Sequence, residues 1–447
     1  DGSSDNTPEI ARSYSAKLSG LKVVRLKKNR GKGSAVKTGL LNSCGDICVF
    51  LDADGSVSPD EIGRNLHYLD EGYDIFIGSR VLRGEGQRLK IKFYRKAIGV
   101  AFNFLVHLIL FKDIRDPQCG FKMFRKDVIM PLFSRSYVQG FGFDIEILYL
   151  AFKMGYKVKE GPVSWQHIDG AKINLFLEPV RMFFNILQIK NWHRVPVNCC
   201  DKYFGADEYR YMFELENRHW WFASHRGLVM GLVRSLKINN PLILDIGTGT
   251  GINLLSLSKI GEAYGIDISD KAIEFSRERG LVNVSRSSAE KINYEDKRFD
   301  IITCFDVLEH IYYPPHALLE MKRVLKDNGK IVITVPAFRF IWSAHDEALC
   351  HLRRYTKASL EREAEDCGLK IDKSGYFFFA SFFLVASVRF IKKYFFSKGK
   401  MHSDTVVLPP EWLNNTLKAI FKAEAALANR LGLPFGTTIF AIASKDE

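Results

Sequence analysis

ILDIGTGTG, Ile243 to Gly251, decides how the second half of this chain folds. Its apolar start reads as a strand ending at Asp245, and the glycine-rich turn that follows opens a helix. Gly247, Gly249 and Gly251 permit a tight turn and let the backbone approach a ligand closely. The spacing is GxGxG, not the GxGxxG of dinucleotide enzymes. No Gly-Lys-Ser/Thr follows, which excludes a phosphate loop. Downstream, YGIDIS places Asp267 at the end of the next strand, where an acidic side chain suits a bidentate hydrogen bond to ribose hydroxyls.

Outward from this motif, PLILDIG, EAYGIDI, FDIITCF and GKIVITVP are strands separated by helical sequence. Residues 1–197 alternate in the same way, with DICVFLDAD (Asp46 to Asp54) and YDIFIGSR (Tyr73 to Arg80) as strands with charged ends. Such alternation predicts α/β domains with parallel sheets and right-handed crossovers. At 447 residues the chain exceeds one ordinary core and suggests two domains. We place them at 1–197 and 203–447, with a linker over 198–202. Aromatic-rich helical sequence opens the second and ends in HWWFASHR (His219 to Arg226).

A net charge of +13 predicts an anionic partner: nucleic acid, lipid headgroups or phosphorylated substrates. No nucleic-acid module is present, so nucleic acid is not expected, and 34 Phe lean toward lipid. The eight Cys lack zinc or thioredoxin spacing, which predicts reduced thiols and a cytosolic setting. Two apolar runs, Ala97 to Phe111 and Tyr376 to Val388, are too short to cross a bilayer. Each reads as a buried helix or an interfacial one.

With FDIITCFDVLEHI and RVLKDNGKIVITVP, the second half resembles the class I S-adenosylmethionine-dependent methyltransferases, a Rossmann-like fold, here with a helical C-terminal extension. The resemblance implies that Gly247, Gly249 and Gly251 cradle the methionine part of S-adenosylmethionine. Asp245 would orient its amino group, and Asp267 would bind its ribose. The family often has an acidic residue where Ser288 stands, so adenine contact falls to the Ala289 backbone or Glu290. The sulfonium already activates the methyl, so alignment does most of the chemical work. A base is needed only for a hydroxyl acceptor, and His310 is the candidate. Asp306, Glu309 and His310 lie at i, i+3 and i+4, one helical face on which they form either a divalent-metal site or a plain polar helix start. Arg353 and Arg354 are candidates to clamp a phosphate, the alternative being a solvated basic cap. Trp220 and Trp221 either lid the pocket or staple a helix to the sheet, and we expect the staple.

In the first half, DADGS (Asp52 to Ser56) ends an apolar strand. Two carboxylates there are costly unless they bind a cation or cap a turn. With GKGSAVKTG upstream, then GSR, RDPQCGFKMF, FDIEILYLA and VSWQHIDGAKI downstream, this half resembles the family 2 glycosyltransferases that charge polyprenyl phosphate, most of all the dolichyl-phosphate beta-glucosyltransferase branch, a GT-A-type fold. The resemblance implies Mg²⁺ or Mn²⁺ on Asp52 and Asp54, a nucleotide-sugar donor contacted by Asp1 and Lys32, and a polyprenyl-phosphate acceptor. Arg80 and Arg95 match positions that hold the acceptor phosphate, and Arg88 is a weaker match. Asp116 and Glu146 would orient sugar hydroxyls or an arginine, unless they are a turn former and a helix-start acid. Trp165 and His167 would pack near the sugar, unless Trp165 is strand core. In this family the opening DGSSDNT follows strands that bind the nucleotide base, so the chain reads as a fragment, with loss in a degenerate domain as the alternative. The expected whole is a peripheral enzyme on the cytoplasmic face of an anionic membrane.

Overall fold

A computed structural model describes residues 2–3, 5–18, 20–26, 28–82, 106, 110, 113–166, 177–193, 206–395, 408–431 and 433–446. The chain divides into two compact units, Asp1–Val197 and Asn198–Glu447.

In the first unit, β1 (Ile47–Leu51), β2 (Ile75–Ser79), β3 (Phe121–Arg125) and β4 (Val158–Pro162) form a sheet in the order β1-β3-β2-β4. Only β2 and β4 pair parallel, while β3 runs antiparallel to both its neighbours. This corrects the expectation of a wholly parallel sheet. The reason lies in the turn before β3. Asp52 N donates to Gly120 O at 3.0 Å, and Arg80 N donates to Asp116 Oδ2 at 2.9 Å. The turn is thus pinned at the carboxyl ends of β1 and β2, and a strand starting there must run back. Alternate residues enter two cores. Ile75, Ile77 and Phe124 join Val128, Leu132, Phe133, Ile145 and Leu148 on one face. Phe76, Phe121, Met123 and Val163 pack on the other. Burying each such side chain is worth roughly 1.5–3 kcal/mol.

In the second unit, β5 (Leu242–Ile246), β6 (Glu262–Asp267), β7 (Val284–Arg286), β8 (Phe299–Phe305), β9 (Leu325–Pro336), β10 (Leu369–Phe377) and β11 (Thr438–Lys445) form a seven-stranded sheet. Its order is β10-β11-β9-β8-β5-β6-β7. Strands β5 to β9 are parallel, and β11 runs antiparallel between β9 and β10. Leu244, Ile302, Ile331, Ile333 and Ala441 line one core, and Ile243, Ile301, Val332 and Phe440 line the other. Both faces are covered, which is why these strands read as nearly continuous apolar runs. The order reverses beside β5, leaving a crevice at the carboxyl ends of β5 and β8.

The helices Phe379–Phe395 and Glu411–Leu431 precede β11, so the C-terminal segment returns to the sheet. The apolar run Tyr376–Val388 is not one helix: β10 ends at Phe377, Phe378 takes φ 63°, and a helix follows. Of Ala97–Phe111, only residues 106 and 110 are described. Among the described residues, no helix is long and apolar enough to cross a membrane.

Candidate active sites

The first unit gathers its polar residues at the carboxyl ends of β1 and β2. Lys32 opens the helix Lys32–Leu41 and sets Nζ 2.7 Å from Asp52 Oδ1. Asp54 is exposed, and its Oδ1 accepts from Ser56 N at 2.9 Å and Ser56 Oγ at 2.5 Å. The Ser56 hydroxyl holds the Asp54 carboxyl below its usual range against partial burial. The Asp54 turn is tied across to Trp165: Val57 bridges Trp165, and Gln166 N donates to Ser56 O at 2.8 Å. Arg80 lies over the Trp165 ring, 5.9 Å from its centre.

Asp116 accepts from Arg80 Nε at 2.8 Å and Arg80 Nη2 at 2.7 Å. Burial opposes the charge on both partners, but the pairing wins, raising the Arg80 pKa and lowering that of Asp116. Asp116 therefore orients an arginine. Glu146 does something else. Its carboxylate accepts from Tyr137 N and Val138 N at 2.9 and 2.8 Å and lies 2.8 Å from His193 Nε2. It ties down a loop and a helix end rather than facing the site. Asp1, Arg88, Arg95 and His167 lie outside the described residues.

One pair escaped sequence reading. Lys122 is 1% exposed, yet its Nζ sits 2.5 Å from Asp144 Oδ1. Burial pushes the Asp144 carboxyl up, against the pull of Lys122 and Lys32, with Asp52 also raising it. The signal available was a lysine inside the apolar strand FKMFR, since a buried lysine needs a counter-charge.

In the second unit, the loop after β5 is held by β6: Gly247 N and Thr248 N donate to Ile266 O at 2.8 and 3.1 Å. Gly247, Gly249 and Gly251 take φ of 71°, 55° and 84°, the left-handed region where glycine is unstrained. A Cβ on Gly247 would fall on Val307, so the turn after β8 lies against this loop. Asp245 is 2% exposed and accepts from Thr303 Oγ1 at 2.6 Å. Burial pushes its carboxyl up to about 7, outweighing Thr303 and Thr248. Asp267 accepts from Gly249 N and Ser269 N, each at 2.9 Å. Burial raises its pKa in spite of those bonds. Ser288 bridges Lys291, which sets Ala289 and Glu290 in a tight turn. Burial raises the Glu290 pKa, and Arg353 pulls it back.

Two expectations need correction. Leu308–His310 is a single 3-10 turn, and Asp306 takes φ 54°. The helical face of Asp306, Glu309 and His310 therefore does not form. Asp306 meets His225 Nε2 at 3.2 Å and Thr334 Oγ1 at 3.3 Å. His351 joins Glu309 and His310 instead. The Arg354 side chain is covered, donating to Asp346 Oδ1 at 2.5 Å and Ala337 O at 2.9 Å, so it is no phosphate clamp. Arg353 donates to Tyr312 O at 2.7 Å and stays half-buried. Burial and His351 hold His310 well below its ordinary pKa, which makes it a weak base. Trp220 stacks on Phe421 at 5.1 Å, and Trp221 on Phe378 at 5.8 Å. Both staple the helix Trp220–Ser235 to its surroundings.

Comparison with known proteins finds a different family within each unit. The model of the family "Glycosyl transferase family 2" matches residues 1–133, and "Methyltransferase domain" matches residues 244–333. A dolichyl-phosphate beta-glucosyltransferase of Dictyostelium discoideum is 35% identical over 197 residues, 42% of this chain and 60% of that protein. Its counterpart in Drosophila melanogaster is 36% identical over 199 residues, again 42% and 60%. The chain thus spans about three fifths of the length of these curated relatives. A SAM dependent methyltransferase from Aquifex aeolicus aligns at 26% identity over 32% of this chain and 82% of that one, with a TM-score of 0.28.

Proposed function

We propose that this chain, which joins a glycosyltransferase family 2 domain to a methyltransferase domain, carries out two transfers in one surface-glycan or lipid pathway. The first unit moves a hexose, glucose from UDP-glucose, to polyprenyl or dolichyl phosphate at the cytoplasmic face of an anionic membrane. The second moves a methyl from S-adenosylmethionine to an acceptor in that pathway.

The observation that carries the first reading is the Arg80–Asp116 clamp beside the Asp52–Asp54 turn. A phosphate monoester is ionised at neutral pH, so its attack on the anomeric carbon needs alignment more than a base. Arg80, fixed from behind by Asp116, presents its guanidinium to that anion. Two carboxylates at a strand end are the hard oxygen donors that fit Mg²⁺ or Mn²⁺, and the Lys32 ammonium already beside Asp52 marks a place that favours positive charge. Asp52 and Asp54 would hold such an ion, which would supply positive charge to the departing diphosphate. Attack from the face opposite the leaving group inverts the sugar.

The second reading rests on Asp267 placed against the glycine loop by Gly249 N. The open side of Gly249, where an added Cβ would meet nothing within 4 Å, fits close backbone approach to S-adenosylmethionine. S-adenosylmethionine brings an activated methyl, and the chain's own residues bind and orient. Asp245 waits buried for the ammonium, and Asp267 for the ribose.

The test is direct. Full chain, UDP-[¹⁴C]glucose, dolichyl phosphate and Mg²⁺ should yield labelled lipid that EDTA abolishes, and S-adenosylmethionine should bind in calorimetry. A different reading makes the first unit a non-catalytic dock, because the helix Leu177–Trp192 exposes Phe183, Phe184 and Leu187. Liposome binding without transfer from any UDP-sugar favours the dock.

A further inference from the structure

Beyond the carboxyl end of β8 lie three groups that binding of the methyl donor does not use. Glu309 is 0% exposed, and neither carboxylate oxygen has a hydrogen-bond partner. His351 Nε2 stands 4.0 Å from Glu309 Oε1. The His310 ring lies edge-on to that of His351, with centres 4.9 Å apart. One ligand atom from each of Glu309, His310 and His351 falls within 4.8 Å of the others. Atoms bound to one zinc-sized ion at about 2.1 Å stand roughly 3–4 Å apart, so the three need only draw in slightly.

The surroundings set the histidine for that task. His351 Nδ1 is 2.9 Å from Asp346 Oδ1. Asp346 is buried, with Arg354 Nε at 2.5 Å, Ser343 N at 2.9 Å and Arg389 Nη1 at 3.8 Å. An ionised Asp346 accepts the Nδ1 proton, which turns the Nε2 lone pair toward Glu309. Two electron-rich groups facing each other in a dry pocket are costly unless a cation sits between them. A carboxylate behind the histidine is the usual support of a metal-bound imidazole.

We propose that Glu309, His310 and His351 bind a divalent transition-metal cation, with Asp346 as the positioning residue behind His351. Two imidazoles and one carboxylate suit Zn²⁺, Co²⁺ or Mn²⁺ better than Mg²⁺ or Ca²⁺. The turn that bears Glu309 and His310 lies against Gly247 through Val307, so the ion stands beside the methyl-donor cradle. There it would take an acceptor hydroxyl as a further ligand and lower its pKa. The hydroxyl releases its proton to water, its oxygen bonds the methyl carbon, and the sulfur keeps the electrons of the broken S–C bond. This acceptor step rests on the methyltransferase reading, but cation binding does not.

The experiment uses the whole chain carrying Asp52→Asn and Asp54→Asn, which removes the other candidate cation site. After EDTA treatment it is titrated with Co²⁺ and followed by visible absorption and equilibrium dialysis. One Co²⁺ per chain with a visible band, displaced by Zn²⁺, is the expected result. Glu309→Gln should weaken Co²⁺ binding at least about tenfold, and His310→Asn should do the same if the first variant fails to fold. Absence of a bound Co²⁺ overturns the proposal and leaves Glu309 as a buried protonated acid. So does unchanged affinity in both variants. S-adenosylmethionine binding is measured separately, so its failure would sink the methyl-transfer reading and leave the cation site standing.

Discussion

Arg80 and Asp116 meet through three N–H···O bonds, two from the guanidinium and one from the Arg80 backbone, at 2.7 to 2.9 Å. The pair fixes the guanidinium plane as well as its charge. Arg80→Lys keeps the charge and loses the fork. We expect its KM for dolichyl phosphate to rise at least about tenfold, with UDP-glucose binding little changed. Equal effects on both substrates would show that Arg80 does not read the acceptor.

Gly120 has no room for a side chain, because a Cβ there would fall on the carboxylate of Asp52. Gly120→Ala should push that carboxylate off its position and cost about 1–3 kcal/mol in stability. Hexose transfer should drop and need more Mg²⁺ for half-maximal rate. A metal titration matching the parent protein would contradict a cation role for Asp52.

Asp245, pushed by burial to about 7, is largely protonated in the free protein at pH 6. An ammonium ligand favours the carboxylate, so binding must first release that proton. Affinity for S-adenosylmethionine should therefore rise between pH 6 and pH 7.5, by up to about tenfold. Asp245→Asn should bind weakly and flatten the dependence. Calorimetry in buffers of different ionisation enthalpy reads the proton release itself.

Trp220 packs flat on Phe421 and edge-on to Phe378. Trp220→Ala should cost about 3–5 kcal/mol of stability in the second unit while leaving S-adenosylmethionine affinity within about twofold below the melting range. A large loss of affinity with unchanged thermal stability would instead make Trp220 a pocket lid.

Much of the second unit was legible because its chemistry is local. Strand and glycine turn lie within ILDIGTGTG and a helix opens directly after it, and the acid ending the next strand is bound to arrive beside that turn in a parallel sheet. The helical reading of DVLEHI failed because Asp306 takes a left-handed backbone, supported by Thr334 from β9. Arg354 looked like an exposed clamp because spacing alone does not show that the chain folds back to set Asp346, eight residues earlier, against it. Lys122 went unread because nothing next to it in sequence reveals Asp144.

The sequence by itself determined what depends on short spacing: the α/β alternation, the glycine turn, the paired carboxylates of DADGS and the two kinds of transferase they resemble. Only the tertiary structure decided what depends on long-range pairing. It set the backward run of β3, the hold of Asp116 on Arg80, and the meeting of Glu309 with His351. The physical reason is range. Periodicity and turn chemistry act over a few residues, whereas a buried charge is settled by whichever counter-charge the packed sheet brings to it.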